Sequence, residues 1–157
     1  MTKQGLYEIH QFKAKWDFDA GRGEQFGRSQ CGPLNRLFLS REMVGRTLNV
    51  CSGTDRSGHV RVDIDLRMKP DILADVHFLP FRSKAFDTVI CDPPFKMFSR
   101  LRWLTELRRL AKRKVIVCTP NVLIRLGHGW TRKIWCIDVH SMFMRIWQLF
   151  THDILEV

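Results

Sequence analysis

Four aspartates close short apolar runs. Asp63 and Asp65 end VRVDIDL (60–66), Asp75 ends DILAD (71–75), and Asp92 ends FDTVICD (86–92). The run TLNVCS (47–52) instead leads into CSGTDRSG, where Gly53 lets the backbone approach a ligand and Ser52 and Thr54 are small and polar. In an open α/β sheet, ligands bind beyond the carboxyl ends of the strands. An acid ending the second strand suits a ribose diol. An acid ending the third suits an adenine amino group, with Val76, Phe78 or Leu79 packing the ring. Each feature also has a plainer reading: a glycine turn, an exposed acid on a strand, or an Asp-Pro turn that leaves Phe95 in the core.

The elements that must position these residues follow from hydrophobic pattern. Strands are expected at 47–52, 60–66, 71–75, 86–92 and 114–118. Val60, Val62, Ile64 and Leu66 alternate onto one face of the second, and the fourth and fifth are apolar on both faces, as covered parallel strands are. A helix is expected over about 96–111, with Leu101, Leu104, Leu107, Leu110 and Ala111 at helical spacing. Its other side carries Arg102, Arg109, Lys112 and Arg113, read as a solvated face, with phosphate contact as the alternative. A short helix is expected within 31–46, with Leu34, Leu37 and Phe38 on one face and Gly45 at its end. RKIWCIDVH and MRIWQLFTHDI read as an antiparallel strand pair, with a helix at 142–150 as the alternative. The alternation argues an α/β fold with a Rossmann-like, mostly parallel sheet and an antiparallel C-terminal strand pair. Parallel neighbours normally need a crossover of a dozen or more residues. Only GTDRSGH and RMKP separate the first three strands, so either the helices there are reduced to loops or those strands are not all parallel neighbours.

The totals narrow the field. The chain has 157 residues, 45% of them hydrophobic, which suffices for one cored domain. We expect residues 1–32, with glycines at 21, 23 and 27, to form an arm or loop and 33–157 the domain. No apolar run of membrane-spanning length exists and the N-terminus lacks a signal-peptide core, so a cytoplasmic protein is expected. The cysteines are scattered with no C-x-x-C, and His59, His77 and His128 lack ligand spacing, so neither a zinc site nor a disulfide frame is expected. No G-x-S-x-G elbow surrounds Ser52. The net charge of +10, from 26 Lys and Arg against 16 Asp and Glu, points to a polyanionic partner, nucleic acid first. The five tryptophans read mostly as core or edge packing, and Trp130, in GHGW, is the one to test for base or cofactor contact.

LNVCSG, VRVDID and DILADVHFLPFRSKAFDTVICDPPF together resemble the core of the class I methyltransferases that use S-adenosylmethionine. The stretch ADVHFLPFRSKAFDTVI is similar to their D-x-x-x-LPF-x-x-x-x-FD-x-V pattern. DPPF resembles the D-P-P-Y/F motif of the branch that methylates exocyclic amino groups of adenine or cytosine. The resemblance covers residues 47–118. It implies that Cys51, Ser52 and Gly53 line the methionine part of the cofactor, that Asp63, or Asp65 in its place, holds the ribose, and that Asp75 with Val76 serves the adenine. It implies that Asp92, Pro93, Pro94 and Phe95 handle the target base. The chain departs from the family in its glycine loop, CSGT rather than G-x-G-x-G, in the missing helix after it, and in lacking room for a recognition domain. A homodimer or partner subunit would fit so short a chain.

The chemistry has a reason to want this motif. An amino nitrogen on a base is a poor nucleophile because its lone pair is delocalised into the ring. Two acceptors aimed at its protons, the Asp92 carboxylate and the Pro93 carbonyl, favour a pyramidal nitrogen whose lone pair is free. Proline restrains both its own φ and the residue before it, so the acceptors are pre-aimed. An aromatic at position 95 offers a stacking face of about 1–3 kcal/mol to an extruded base. The expected function is therefore methyl transfer to an exocyclic amino group, adenine in DNA first. RNA or a small molecule is an alternative substrate, and a non-catalytic nucleic-acid-binding subunit an alternative role.

Overall fold

The computed structural model describes residues 39–99, 101–120, 122–140 and 143–153. Seven strands form one sheet: β1 Thr47–Val50, β2 Val60–Asp63, β3 Ile72–Leu73, β4 Phe86–Cys91, β5 Ala111–Pro120, β6 Trp130–His140 and β7 Phe143–His152. Their order is β3-β2-β1-β4-β5-β7-β6. The first five pair in parallel, and β7 runs antiparallel to both β5 and β6. The C-terminal pair expected from sequence is therefore present, and Ile146 and Leu149 belong to a strand rather than to the alternative helix. Strand registry explains this choice: Ile116 pairs with Leu149 and Thr119 with Ile146, which gives both residues a covered sheet position.

One face of the sheet packs on α1, Trp103–Leu110. Leu48, Val50, Val62, Val89, Val115 and Val117 meet Trp103, Leu104, Leu107 and Leu110 in one buried cluster. Each fully buried side chain of this size contributes about 1.5–3 kcal/mol. Ile90, Ile116, Cys118, Trp147 and Leu149 point the other way and are covered by Leu39 and Met43. Residues 39–42 are helical and Gly45 follows with φ of +58°, which fits the expected helix end; Leu34, Leu37 and Phe38 lie outside the described residues.

Several boundaries differ from expectation. The helix is shorter than 96–111, because a 3-10 turn at Phe95–Ser99 precedes it and Ala111 already begins β5. Lys112 and Arg113 therefore lie on a strand. β2 ends at Asp63, so Ile64 and Leu66 leave the sheet and stand 70% and 71% exposed.

The short crossovers resolve the strain noted above: the strands are parallel and the helices are reduced to loops. Residues 51–59 join β1 to β2 with no helix, and a 3-10 turn, Leu66–Met68, joins β2 to β3. A polar latch takes the helix's place on the face of β1 opposite α1. There the Asn49 amide donates to Asp55 (3.1 Å) and to the Ser57 carbonyl (3.2 Å), while Asp55 accepts from the Ser57 N–H and hydroxyl. His59 closes the loop, taking the Thr47 N–H on Nδ1 and donating its own N–H to the Thr47 carbonyl. Asn49 and Asp55 are both buried, so each hydrogen bond spares a desolvation cost of about 1–3 kcal/mol.

Candidate functional site

The chain runs from β1 outward to β2 and β3, then returns to place β4 on the other side of β1. The crevice between the carboxyl ends of β1 and β4 is therefore the topological switch point, where open α/β sheets bind ligands. The loop Cys51–Gly53 leaves one side of it and Asp92–Phe95 leaves the other. The two loops leave adjacent strand ends, because Val50 of β1 pairs with Cys91 of β4; burial, and then the neighbouring Cys51, push the Cys91 thiol well above its ordinary range.

The loop after β1 is built on two left-handed residues, Cys51 (φ +55°) and Gly53 (φ +52°). Glycine adopts this conformation freely and cysteine does so at a cost, so the turn is held from outside. Asp63 supplies the hold. One of its oxygens accepts the Gly53 N–H at 2.8 Å and the other accepts the Asp65 N–H at 2.9 Å. Ser52 donates its N–H to the Val62 carbonyl, and its buried hydroxyl has no partner among the described residues.

The other acids differ in what they already hold. Asp65 caps the turn at Leu66–Met68 and chelates the Arg67 guanidinium, and those bonds hold its carboxyl below the usual carboxylate range. Asp75 accepts the His77 N–H (2.9 Å) and lies 2.7 Å from His77 Nδ1; the backbone bond, then the ring, lowers its pKa. Its side chain stays 45% exposed. Val76 and Leu79 are buried in the core, whereas Phe78 is 82% exposed. Asp92 is half-buried, Pro93 buried and Pro94 exposed, and the Pro94 carbonyl accepts the Met97 N–H at 2.9 Å. Phe95 opens the 3-10 turn, and its side chain lies outside the described part of the molecule.

The sequence-picked residues thus gather at one edge of the sheet. Two hollows, of about 410 and 200 Å3, lie elsewhere, along α1, and none of the sequence-picked acids or prolines lines them. Trp130 does line the larger one, at the opposite, amino-terminal end of the parallel strands. Sequence reading missed a brace behind the site. Arg109, expected on a solvated face, binds Glu106 (2.7 Å) and the carbonyls of Phe81 (2.6 Å) and Leu79 (3.1 Å), while Glu106 accepts the Leu79 N–H. This clamps the LPF segment to α1. Phe81 completes the joint, edge-on to Phe86 at 5.0 Å. The i,i+3 spacing of Glu106 and Arg109 was the available signal for the pair.

Among the described residues, no group of three or more His, Cys, Asp or Glu side chains is placed to hold a metal ion. No described helix is long and apolar enough to cross a membrane.

No family model matches the sequence, and no curated protein matches it. Solved structures do. The PH0226 protein of Pyrococcus horikoshii OT3 is similar at 15% identity and a TM-score of 0.55, covering 82% of this chain and 92% of that one. Mtq2 of E. cuniculi, from an Mtq2–Trm112 complex that methylates the termination factor eRF1, gives 15% identity and a TM-score of 0.57 over 73% of this chain and 90% of its own. The magnesium protoporphyrin IX methyltransferase ChlM of Synechocystis PCC 6803, solved with bound SAM, gives 14% and 0.54, over 74% and 75%. The fold is the Rossmann-like α/β fold of class I methyltransferases.

Proposed function

We propose that this chain transfers the methyl group of S-adenosylmethionine to an exocyclic amino group of a nucleic-acid base, adenine in DNA first. The observation that carries the reading is the parallel pairing of β1 with β4, Val50 opposite Cys91, from whose adjacent ends the Cys51–Gly53 loop and the D-P-P-F turn depart. The residues present fit the cofactor. Asp63 has each oxygen engaged by one backbone N–H, and a carboxylate oxygen can accept a further bond, as from a ribose hydroxyl. The buried Ser52 hydroxyl is an unused polar group in the same loop. Exposed Ile64 and Phe78 offer apolar cover for an adenine near Asp75.

When bound, the cofactor supplies an electrophilic methyl on a sulfonium. The protein's part is positioning. Asp92 and the Pro93 carbonyl would accept hydrogen bonds from the two N–H groups of the target, which frees its lone pair, and the Asp92 carboxylate would stabilise the positive charge that develops on that nitrogen. Phe95 stacks the base. We assign this activity to 33–157; the segment 1–32, expected to be an arm or loop, lies outside the described residues. A partner subunit is the second element of the proposal: β3 is a two-residue edge strand whose Leu73 is 54% exposed, and Leu66 in the preceding turn is 71% exposed. Mtq2 is a similar protein described in complex with a partner.

Tritium transfer from labelled cofactor to DNA, RNA and small-molecule pools tests the reading. Label in DNA that disappears with Asp92→Ala is the expected result. Label in RNA or a small molecule alone would redirect the substrate. Absence of calorimetric heat with S-adenosylmethionine, with no transfer to any pool, would leave the non-catalytic role.

A further inference from the structure

The two hollows along α1 share Thr105 and Arg108, so they form one trough. Its upper part touches Leu101, just past the 3-10 turn that follows Asp92, and reaches Arg125. Its lower part is walled by Lys84, Arg108, Arg109, His128, Trp130 and His152. Among the described residues no acid lines either part. Arg109 is neutralised by Glu106, so the uncompensated charge rests with Lys84, Arg108 and Arg125.

Lys84 is held there deliberately. Its backbone is left-handed (φ +54°), a costly conformation for lysine. Its ammonium donates to the Ala111 carbonyl at 2.9 Å and stands 5.5 Å from the Trp130 ring centre. Burial, and then the nearby Arg108 charge, lower its pKa. Two cations crowded around a hollow repel each other, and an anion between them would relieve that cost. From residue 103 to 109 the trough follows α1 for about 9 Å at 1.5 Å per residue. At about 3.4 Å of axis per phosphate, that spans two or three phosphates of one strand.

We infer that this trough carries the phosphodiester backbone of the strand whose base reaches Asp92, with Lys84, Arg108 and Arg125 as its phosphate contacts. The inference rests on the nucleic-acid reading above, but its test needs no catalysis. The full chain is titrated into a labelled oligonucleotide, single-stranded and duplex, over a salt series, and binding is followed by fluorescence anisotropy. Arg125→Gln, at an exposed position, and Arg108→Gln are compared with Arg113→Gln, which lies outside the trough. Each trough variant should weaken binding by roughly tenfold or less and lower the log–log salt slope by about 1, with cofactor heat unchanged. Arg113→Gln should bind like wild type. Wild-type slopes in both trough variants would overturn the inference, as would failure of the wild-type chain to bind either oligonucleotide. So would displacement by inorganic phosphate as effective, per phosphate, as a competing oligonucleotide, since that marks a small-anion pocket. Reduced slopes in a chain that methylates nothing would sustain the trough and sink the catalytic reading.

Discussion

Asp63 and Asp65 sit two residues apart and hold different partners. Asp63 ties the loop after β1 to the end of β2 through two backbone N–H groups, whereas Asp65 is engaged by Arg67. Asp63→Asn should therefore weaken S-adenosylmethionine binding at least tenfold, because the loop loses a charge-assisted bond as well as a ribose acceptor. Asp65→Asn should change it less than twofold; calorimetry of the pair checks both. Asp92→Asn should reduce transfer by about 10²–10³-fold with cofactor affinity held, as expected when an interaction made in the transition state is lost. Glu106 adds a pH dependence. Its hydrogen bond from Arg109 lowers its folded pKa below the ordinary 4.5, so its stabilisation is fully present above the unfolded pKa and is lost as pH falls through the folded one. Glu106→Gln should thus flatten the acid limb of a thermal-stability profile below about pH 4.5.

At the scale of elements, two joints decide how the loops lie on the sheet. Gly45 turns the chain from the segment 39–42 into β1 at φ +58°, and a Cβ there would run into the Asp87 carboxylate, which accepts the Arg46 N–H at 2.8 Å. Gly45→Ala should lower the urea midpoint, by about 1–3 kcal/mol of stability. Gln148, fully buried in β7, accepts the Ile124 N–H and donates to the Thr119 hydroxyl and the Val122 carbonyl. It staples the segment after β5 to the sheet and so shapes one wall of the trough. Gln148→Leu leaves the Ile124 N–H unpaired, while the Thr119 hydroxyl and the Val122 carbonyl keep their bond to each other, and should cost about 1–3 kcal/mol by the same measurement. The first strands were legible as elements because their apolar alternation is local. Their ends were not, because Ile64 and Leu66 continue the pattern beyond Asp63, where β2 has already ended.

Over the whole molecule, the sheet has a protected middle and an open edge. β1, β4 and β5 are flanked on both sides, and Leu48, Ile90 and Ile116 are at most 2% exposed, whereas β3 is two residues long at the margin. Amide hydrogen exchange should be slowest at Leu48, Ile90 and Ile116 and fastest, among strand residues, at Leu73. Equal protection at the edge would point to a bound partner strand. The candidate cofactor edge and the cationic trough meet near the start of α1, an arrangement in which a strand lying along the helix delivers its base to the carboxyl ends of the strands.

The sequence by itself determined the alternation of elements and the turn-forming residues at the strand ends, while the choice between a C-terminal strand pair and a helix at 142–150 fell to strand registry. These signals are local: side-chain period, proline and glycine placement, and an acid at the close of an apolar run. Only the tertiary structure decided that Asp63 holds the Gly53 loop, that Cys51 and Cys91 become neighbours, that Arg109 braces the LPF segment, and that Lys84 and Arg108 face one hollow. Those pairings join residues 10 to 40 positions apart, so they depend on strand order and register, which no local pattern encodes.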